Sequence, residues 1–287
     1  MTGATRERPN ASPTATERQA PRAPRLPDAT VALSWLLPLL ALAVALAAWE
    51  IGVWIDNTPR WFLPKPTDIA REMVTSRALL LDHTWTTAQE VLVGLALAFA
   101  LGVMLAVAIA SSRLVERAIY PAIVASQAIP IIALAPILLI WFGYGMTPKV
   151  IVVVLICFFP IVVSMVDGLR AADPDAIALL RSMGASRVQI MRIVRVPASL
   201  PNLFSGLRIA AAVSVIGALV GEWVGASSGL GYLMTRSAAQ FQTPRLFAAV
   251  TIAALMGVLL FALVALVERL ALPWRAAERR GGRRGGG

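Results

Sequence analysis

Asp173–Pro201 reads D-P-D-A-I-A-L-L-R-S-M-G-A-S-R-V-Q-I-M-R-I-V-R-V-P-A-S-L-P, a polar stretch between two apolar ones. Its local signals are helical. Asp173 caps a helix start, and Pro174 fills the first turn, where a missing N–H costs nothing. Gly184 suits the left-handed residue that closes a helix. Ser186 with Gln189 three residues on forms a capping box for a second short helix. Pro197 is expected to stop that helix, since proline cannot continue the hydrogen-bond ladder. Ile177, Leu180, Val188 and Met191 offer apolar contacts, while Arg181, Arg187, Arg192 and Arg195 bring positive charge. The reading is a helix–glycine–helix knuckle.

The knuckle's surroundings decide the fold class. Of the 287 residues, 58% are hydrophobic and 15% charged. A soluble domain carries about a quarter charged residues. The apolar residues gather in runs long enough to cross a bilayer, which takes about 20 residues. Spans are expected near 33–55, 85–110, 118–142, 149–168, 203–225 and 246–270. The chain therefore reads as an all-α, polytopic membrane protein of about six transmembrane helices. Residues 1–30, rich in Pro, Thr, Ala and Arg, read as a disordered tail. Residues 31–271 read as the membrane domain and 272–287 as a basic tail. Trp35, Trp49 and Trp54 sit near the ends of the first span, where amphipathic rings favour the interface. Pro121, Pro130 and Pro136 interrupt the third span. A Gly/Ser-rich loop is expected at 226–245.

The formal charge of +10 does not point to nucleic acid. The arginines lie between apolar runs and at the termini, the pattern of a topology signal. Their asymmetry puts the knuckle and both termini in the cytoplasm. Neither lysine, Lys65 or Lys149, follows a glycine, so the sequence holds no phosphate-binding loop of the Gly-Lys type. His83 is the sole histidine, and it falls in an expected loop, so a histidine metal site is not expected. Cys157 is the sole cysteine, so no intramolecular disulfide forms. Glu50, Glu90, Asp167 and Glu222 lie in or at the ends of spans, where acids are costly and often functional. Glu222, in V-G-E-W-V-G, stands out as either a pathway or a helix-packing residue.

The knuckle resembles the cytoplasmic coupling segment of ABC importer permeases. That family's motif reads E-A-A, three residues, Gly, nine residues, I-x-L-P. Here Gly184 takes the glycine position, and Val194-Arg195-Val196-Pro197 stands for I-x-L-P at the same spacing. Ala178-Leu179-Leu180 replaces E-A-A, so the usual glutamate and any salt bridge it makes are absent. Leu63-Pro64-Lys65-Pro66 is similar to the L-P-x-P entry of the nitrate, sulfonate and taurine branch. The segments L-L-R-S-M-G-A-S and G-E-W-V-G-A are similar to pyrimidine and riboflavin-type members.

The resemblance implies a permease subunit without cofactor, paired with itself in a bacterial plasma (inner) membrane and in contact with lipid. It implies separate cytoplasmic ABC ATPase subunits and an extracytoplasmic solute-binding protein. It implies ATPase coupling through Asp173, Ala178, Arg181, Gly184, Ala185, Ser186, Val194 and Pro197. Pro130, Pro136 and Glu222 are its candidates for the solute pathway. An ion-gradient-driven secondary transporter, using the membrane acids as proton sites, is the alternative, although no inverted repeat is evident. An intramembrane enzyme lacks a nucleophile–base pair.

Overall fold

The computed structural model describes residues 29–273, with side chains from Leu36 onward. The described residues are helical, without strands. The tails expected at 1–30 and 272–287 lie outside these residues except at their inner edges.

The chain divides into two units, Met1–Ala48 and Trp49–Gly287. In the first, the described part opens helix α1 (Ala29–Ile55) and is exposed along Leu36–Ala48. An apolar helix with so little covered surface is suited to lipid rather than water. The second unit carries α2 (Pro66–Thr75), α3 (Arg77–Ser111), α4 (Arg113–Ser126), α5 (Ile131–Phe142) and α6 (Met146–Arg170). It continues with α7 (Pro174–Ser182), α8 (Arg187–Ile190), a π-helical turn (Met191–Arg195), α9 (Val196–Trp223), α10 (Leu230–Ala239) and α11 (Thr243–Ala271). Among the described residues, five helical segments are long and apolar enough to cross a membrane, or six if the bent pair of α4 and α5 is counted as one span.

Helix α6 is the centre, packed between α3 and α9. Val152, Val153, Cys157, Ile161, Val162 and Val166 on α6 are buried. On α3, the buried positions His83, Thr87, Glu90, Val91, Gly94, Ala98, Gly102 and Ala106 recur at helical spacing and form one face. Small residues set the separation. A Cβ added at Gly94 would lie 2.5 Å from Val153 Cβ, and one at Gly206 would lie 2.4 Å from the Pro160 carbonyl oxygen. Such close backbone approach favours packing where water gives no hydrophobic drive.

Three expectations from the sequence need correction. The third span is not a single rod: α4 and α5 meet at 101°. Of its three prolines only Pro130, the N-cap of α5, lies at the break; Pro121 and Pro136 sit inside helices. Pro197 does not stop a helix. Val196 N–H donates to Met191 O, five residues back, and α9 continues from there. The wider π register shifts the ladder where proline lacks its donor. The segment 226–245 is not all loop, because it holds α10, whose Leu230, Leu233 and Met234 are buried.

Helix α2 is held to α11 by polar contacts. Arg245 Nε donates to Glu72 Oε1 at 2.8 Å, and Ser76 Oγ donates to the same oxygen at 2.6 Å. Burial raises the Glu72 pKa, but these bonds outweigh it and hold the carboxyl below its usual range.

Gly206→Ala should lower the melting temperature of the purified protein in detergent. Overpacking costs about 1–3 kcal/mol, against a helix-propensity gain of about 1 kcal/mol. Gly52→Ala, with no heavy atom within 4 Å of the new Cβ, should leave it unchanged or raised.

Candidate functional site

The knuckle is a self-contained unit. Asp173 Oδ1 accepts from Asp175 N–H at 2.9 Å, and Pro174 follows at the first helical position. Gly184 has φ +81°. Its N–H reaches Arg181 O at 3.0 Å, and Ala185 N–H reaches Leu180 O at 2.9 Å. These two bonds form a Schellman motif, which satisfies the last carbonyls of α7. Ser186 Oγ accepts from Gln189 N–H at 3.3 Å, and Ser186 N–H donates to Gln189 Oε1 at 2.7 Å. Both helix ends facing the turn are therefore closed by their own residues.

A small apolar core holds the two helices together: Ala172, Ile177 and Ile190 are buried, with Leu180, Ala185 and Val194 packed around them. The opposite side is bare. Leu179, Met183, Val188 and Ile193 are each more than 60% exposed. Exposed Arg181, Arg187 and Arg192 lie among them in the chain. Val188, one of the residues offering apolar contacts, is on this outer side. Arg195 bends back, and its Nη1 donates to Ala110 O at 3.3 Å near the end of α3. Arg170 pairs with Glu116 and lies 5.4 Å over the Tyr120 ring, tying the end of α6 to α4. Asp173, Ala178, Arg181, Gly184, Ala185, Ser186 and Val194 thus fall in one knuckle, and Pro197 sits exposed just past its π turn.

A second site lies toward the opposite end of α6. Lys149 and Arg170 are separated by about 30 Å along the helix axis. Lys149 Nζ donates to Glu90 Oε1 at 2.6 Å, joining α6 to α3. Both residues are buried, Lys149 at 7% exposure and Glu90 at 2%. Glu222, buried on α9, accepts from Thr87 Oγ1 at 2.6 Å through Oε1 and from Gly231 N–H through Oε2. Thr87 Oγ1 in turn accepts from Leu230 N–H at 2.8 Å, and His83 Nδ1 accepts from Gly229 N–H at 3.0 Å. Three free N–H groups at the start of α10 are therefore capped by side chains from two other helices. The carboxylate there also complements the positive end of the helix dipole. Gly229 and Gly231 leave room for it: a Cβ on Gly229 would fall 2.1 Å from Glu222 Oε1.

The expected pathway residues are not brought together. Glu222 is buried in this cluster, whereas Pro130 and Pro136 are exposed around the α4–α5 bend. His83 is not on a loop; it lies buried on α3. Of the other acids, Glu50 accepts from Thr67 N–H and Oγ1 at 3.1 and 2.8 Å, and Asp167 is exposed. Sequence reasoning missed the Glu90–Lys149 pair. Its signal was a lysine beside the apolar run Val150–Ile156, which calls for a buried counter-charge.

Comparison with known proteins follows this geometry. Residues 98–272 match the family described as "Binding-protein-dependent transport system inner membrane component". The chain is 43% identical over 244 residues to the formylaminopyrimidine transport permease protein ThiX of Halalkalibacterium halodurans, covering 85% of this chain and 97% of that protein. It is 38% identical over 240 residues to the riboflavin transport system permease protein RibX of Chloroflexus aurantiacus, covering 83% and 90%. The taurine transport system permease protein TauC of Escherichia coli is 28% identical over 258 residues, covering 84% and 94%. A solved inward-facing structure of the MetNI methionine ABC transporter shares the fold, with TM-score 0.61, 20% identity and coverage of 68% of this chain and 97% of that one.

Lys149→Met should destabilise the protein by about 3–5 kcal/mol, because it strands a buried carboxylate. Adding Glu90→Gln should recover much of that loss. Thermal unfolding of the single and double variants in nanodiscs measures both.

Proposed function

This chain belongs to the family of binding-protein-dependent transport system inner membrane components, and from that membership we propose how it works. As a member it is an ABC-type membrane permease and not an enzyme. In the proposed assembly, two copies form the solute path across a bacterial plasma membrane. Each sends its knuckle into a groove on a separate cytoplasmic ATPase, and an extracytoplasmic binding protein delivers the solute. Both termini lie in the cytoplasm, as the arginine asymmetry implies, and the apolar outer faces meet lipid. The solute is a small organic molecule of the pyrimidine class, the class named for the relative at 43% identity.

The observation that carries this reading is the knuckle's construction. Its inner side has its own core and closed helix ends, while its outer side presents Leu179, Met183, Val188 and Ile193 to solvent. Exposed apolar residues clustered on a short, well-capped element are suited to docking a protein. The π turn keeps the knuckle helically continuous with α9. A push on the knuckle then moves a membrane helix rather than a hinge. Asp173, Gly184 and Ser186 serve by fixing the knuckle's shape, and Ala178, Arg181 and Pro197 by facing the partner. Ala185 and Val194 serve from the small core between them.

Two variants test the docking. Met183→Asp puts a charge on the bare side, and affinity for the ATPase should fall at least tenfold, as for loss of an interface hot spot. Gly184→Val forces a β-branched residue into φ +81° and should cut uptake while membrane insertion persists. In proteoliposomes holding permease, ATPase and binding protein, uptake should require ATP on the ATPase side and survive a proton ionophore. Uptake by this subunit alone, driven by a pH gradient, would replace the importer reading with a secondary transporter.

A further inference from the structure

Two arginines frame the knuckle. Arg170 is the last residue of α6, just before it, and Arg195 is the last of the π turn, just after it. Both reach the same corner, where α3 passes into α4 through Ser112 alone, in extended backbone. Arg195 Nη1 donates to Ala110 O at 3.3 Å, in the last turn of α3. The last four carbonyls of a helix have no partner within it, and a cation there complements the dipole. Arg170 pairs with Glu116 in the first turn of α4, and its guanidinium lies 5.4 Å over the ring of Tyr120. Glu116 and Tyr120, four residues apart, share one helix face. The stems that carry the two arginines are packed together: a Cβ added at Gly168 on α6 would lie 2.9 Å from Ser199 Cα on α9.

The course of the chain gives these contacts a use. Gly94 lies against Val153, and Gly102 against Ile161, so α3 and α6 run in the same direction. The bent pair α4–α5 therefore carries the chain back from the knuckle end to the start of α6. Just past α5, Tyr144 lines a cavity of about 370 Å³ with Lys149 and Ser227. Helical continuity takes a movement of the knuckle into α9. It does not take it into α4, which is 54 positions from Arg170 at the Glu116 contact. The arginines supply that link, since coupling between distant sites runs through packed side chains and hydrogen bonds.

Neither contact is built as a permanent anchor. The side chains of Arg170 and Glu116 are 43% and 39% exposed, and exposed ion pairs add little to stability. Arg195 Nε is buried without a hydrogen bond, although buried donors are nearly always paired. The carbonyls of Ile109 and Ser111, beside Ala110, are likewise free within their helix. The guanidinium can therefore exchange partners along the helix end as the knuckle shifts.

We propose that Arg170 and Arg195 are positioning residues for transport: they hold the α3–α4 corner to the knuckle, so that a movement of the knuckle on its ATPase swings α4–α5 at the cavity. The proposal rests on the importer reading and names the residues that carry its motion into the bent pair.

The test uses the permease with its ATPase in nanodiscs, carrying Cys157→Ser and Tyr144→Cys. Position 144 is 80% exposed, so its thiol reports the end of α5. Labelling by a fluorescent maleimide is timed with the ATPase at rest and trapped by ATP and vanadate. Trapping should change the labelling rate. Arg195→Met and Arg170→Gln together should abolish that change, while affinity for the ATPase stays within about twofold, as for a surface change away from a contact. Glu116→Gln breaks the same pair from the corner side and keeps the test sound should the double variant fail to fold. Arg170→Glu should lose the response, and adding Glu116→Arg should restore most of it, which loss of packing alone would not do. An unchanged response in both the double variant and Glu116→Gln overturns the proposal. So does a response lost together with ATPase affinity, which would make the arginines part of the docking surface. A permease that binds no ATPase removes the importer reading as well; one that binds and traps it with no change at position 144 removes this proposal alone.

Discussion

Inside a bilayer no water serves a free N–H or C=O, so every backbone group must find a partner within the protein. That constraint accounts for the features of this fold that depart from plain helices. Helix α10 is too short to span a bilayer, yet its N-terminus is buried. His83, Thr87 and Glu222 supply the missing acceptors. The cost of burying an acid on α9 is thereby offset by the helix end it satisfies. At Pro197 the chain answers the same demand differently, by widening the ladder to a π turn instead of ending it.

The same demand links the two ends of the molecule. Helix α6 carries Lys149 near one end and leads into the knuckle at the other. It is gripped on both sides by glycines, Gly94 and Gly102 from α3 and Gly206, Gly217 and Gly221 from α9. A Cβ at Gly221 would lie 2.9 Å from Lys149 Cα, so the residue that anchors the ion pair also sits at a close approach of α9. Helices packed at this separation have little room to slide independently. In the proposed mechanism, displacement of the knuckle is passed through α9 to Glu222 and the start of α10. The relevant motion is then a shift of packed helices, not the bending of a linker.

Charge placement separates the two sites by function. Arg181, Arg187 and Arg192 lie on the knuckle's solvent side, where they cost little and suit a protein surface. The carboxyls and lysine of the second cluster are almost fully removed from solvent, where each needs a specific partner. Buried ionic groups in membrane proteins are rare because of that cost.

Much of this protein was determined by sequence alone. Apolar runs of bilayer length specify membrane helices because length and hydrophobicity are local properties. The knuckle was legible for the same reason: Asp173, Gly184, Ser186 and Gln189 act on backbone groups within a few residues, so their spacing carries their geometry. Family membership was legible in the Gly184–Pro197 frame. Tertiary structure decided the rest. Glu90 and Lys149 are 59 positions apart, Glu222 and Thr87 135 apart, and no local rule pairs them. Whether Pro197 ends a helix or Pro130 bends one depends on what neighbouring helices offer the freed carbonyls. The burial of α10 and the capping of its N-terminus by α3 and α9 exist only once those helices are packed. Local backbone chemistry can be read along the chain; the partners of buried charges are chosen by the packing.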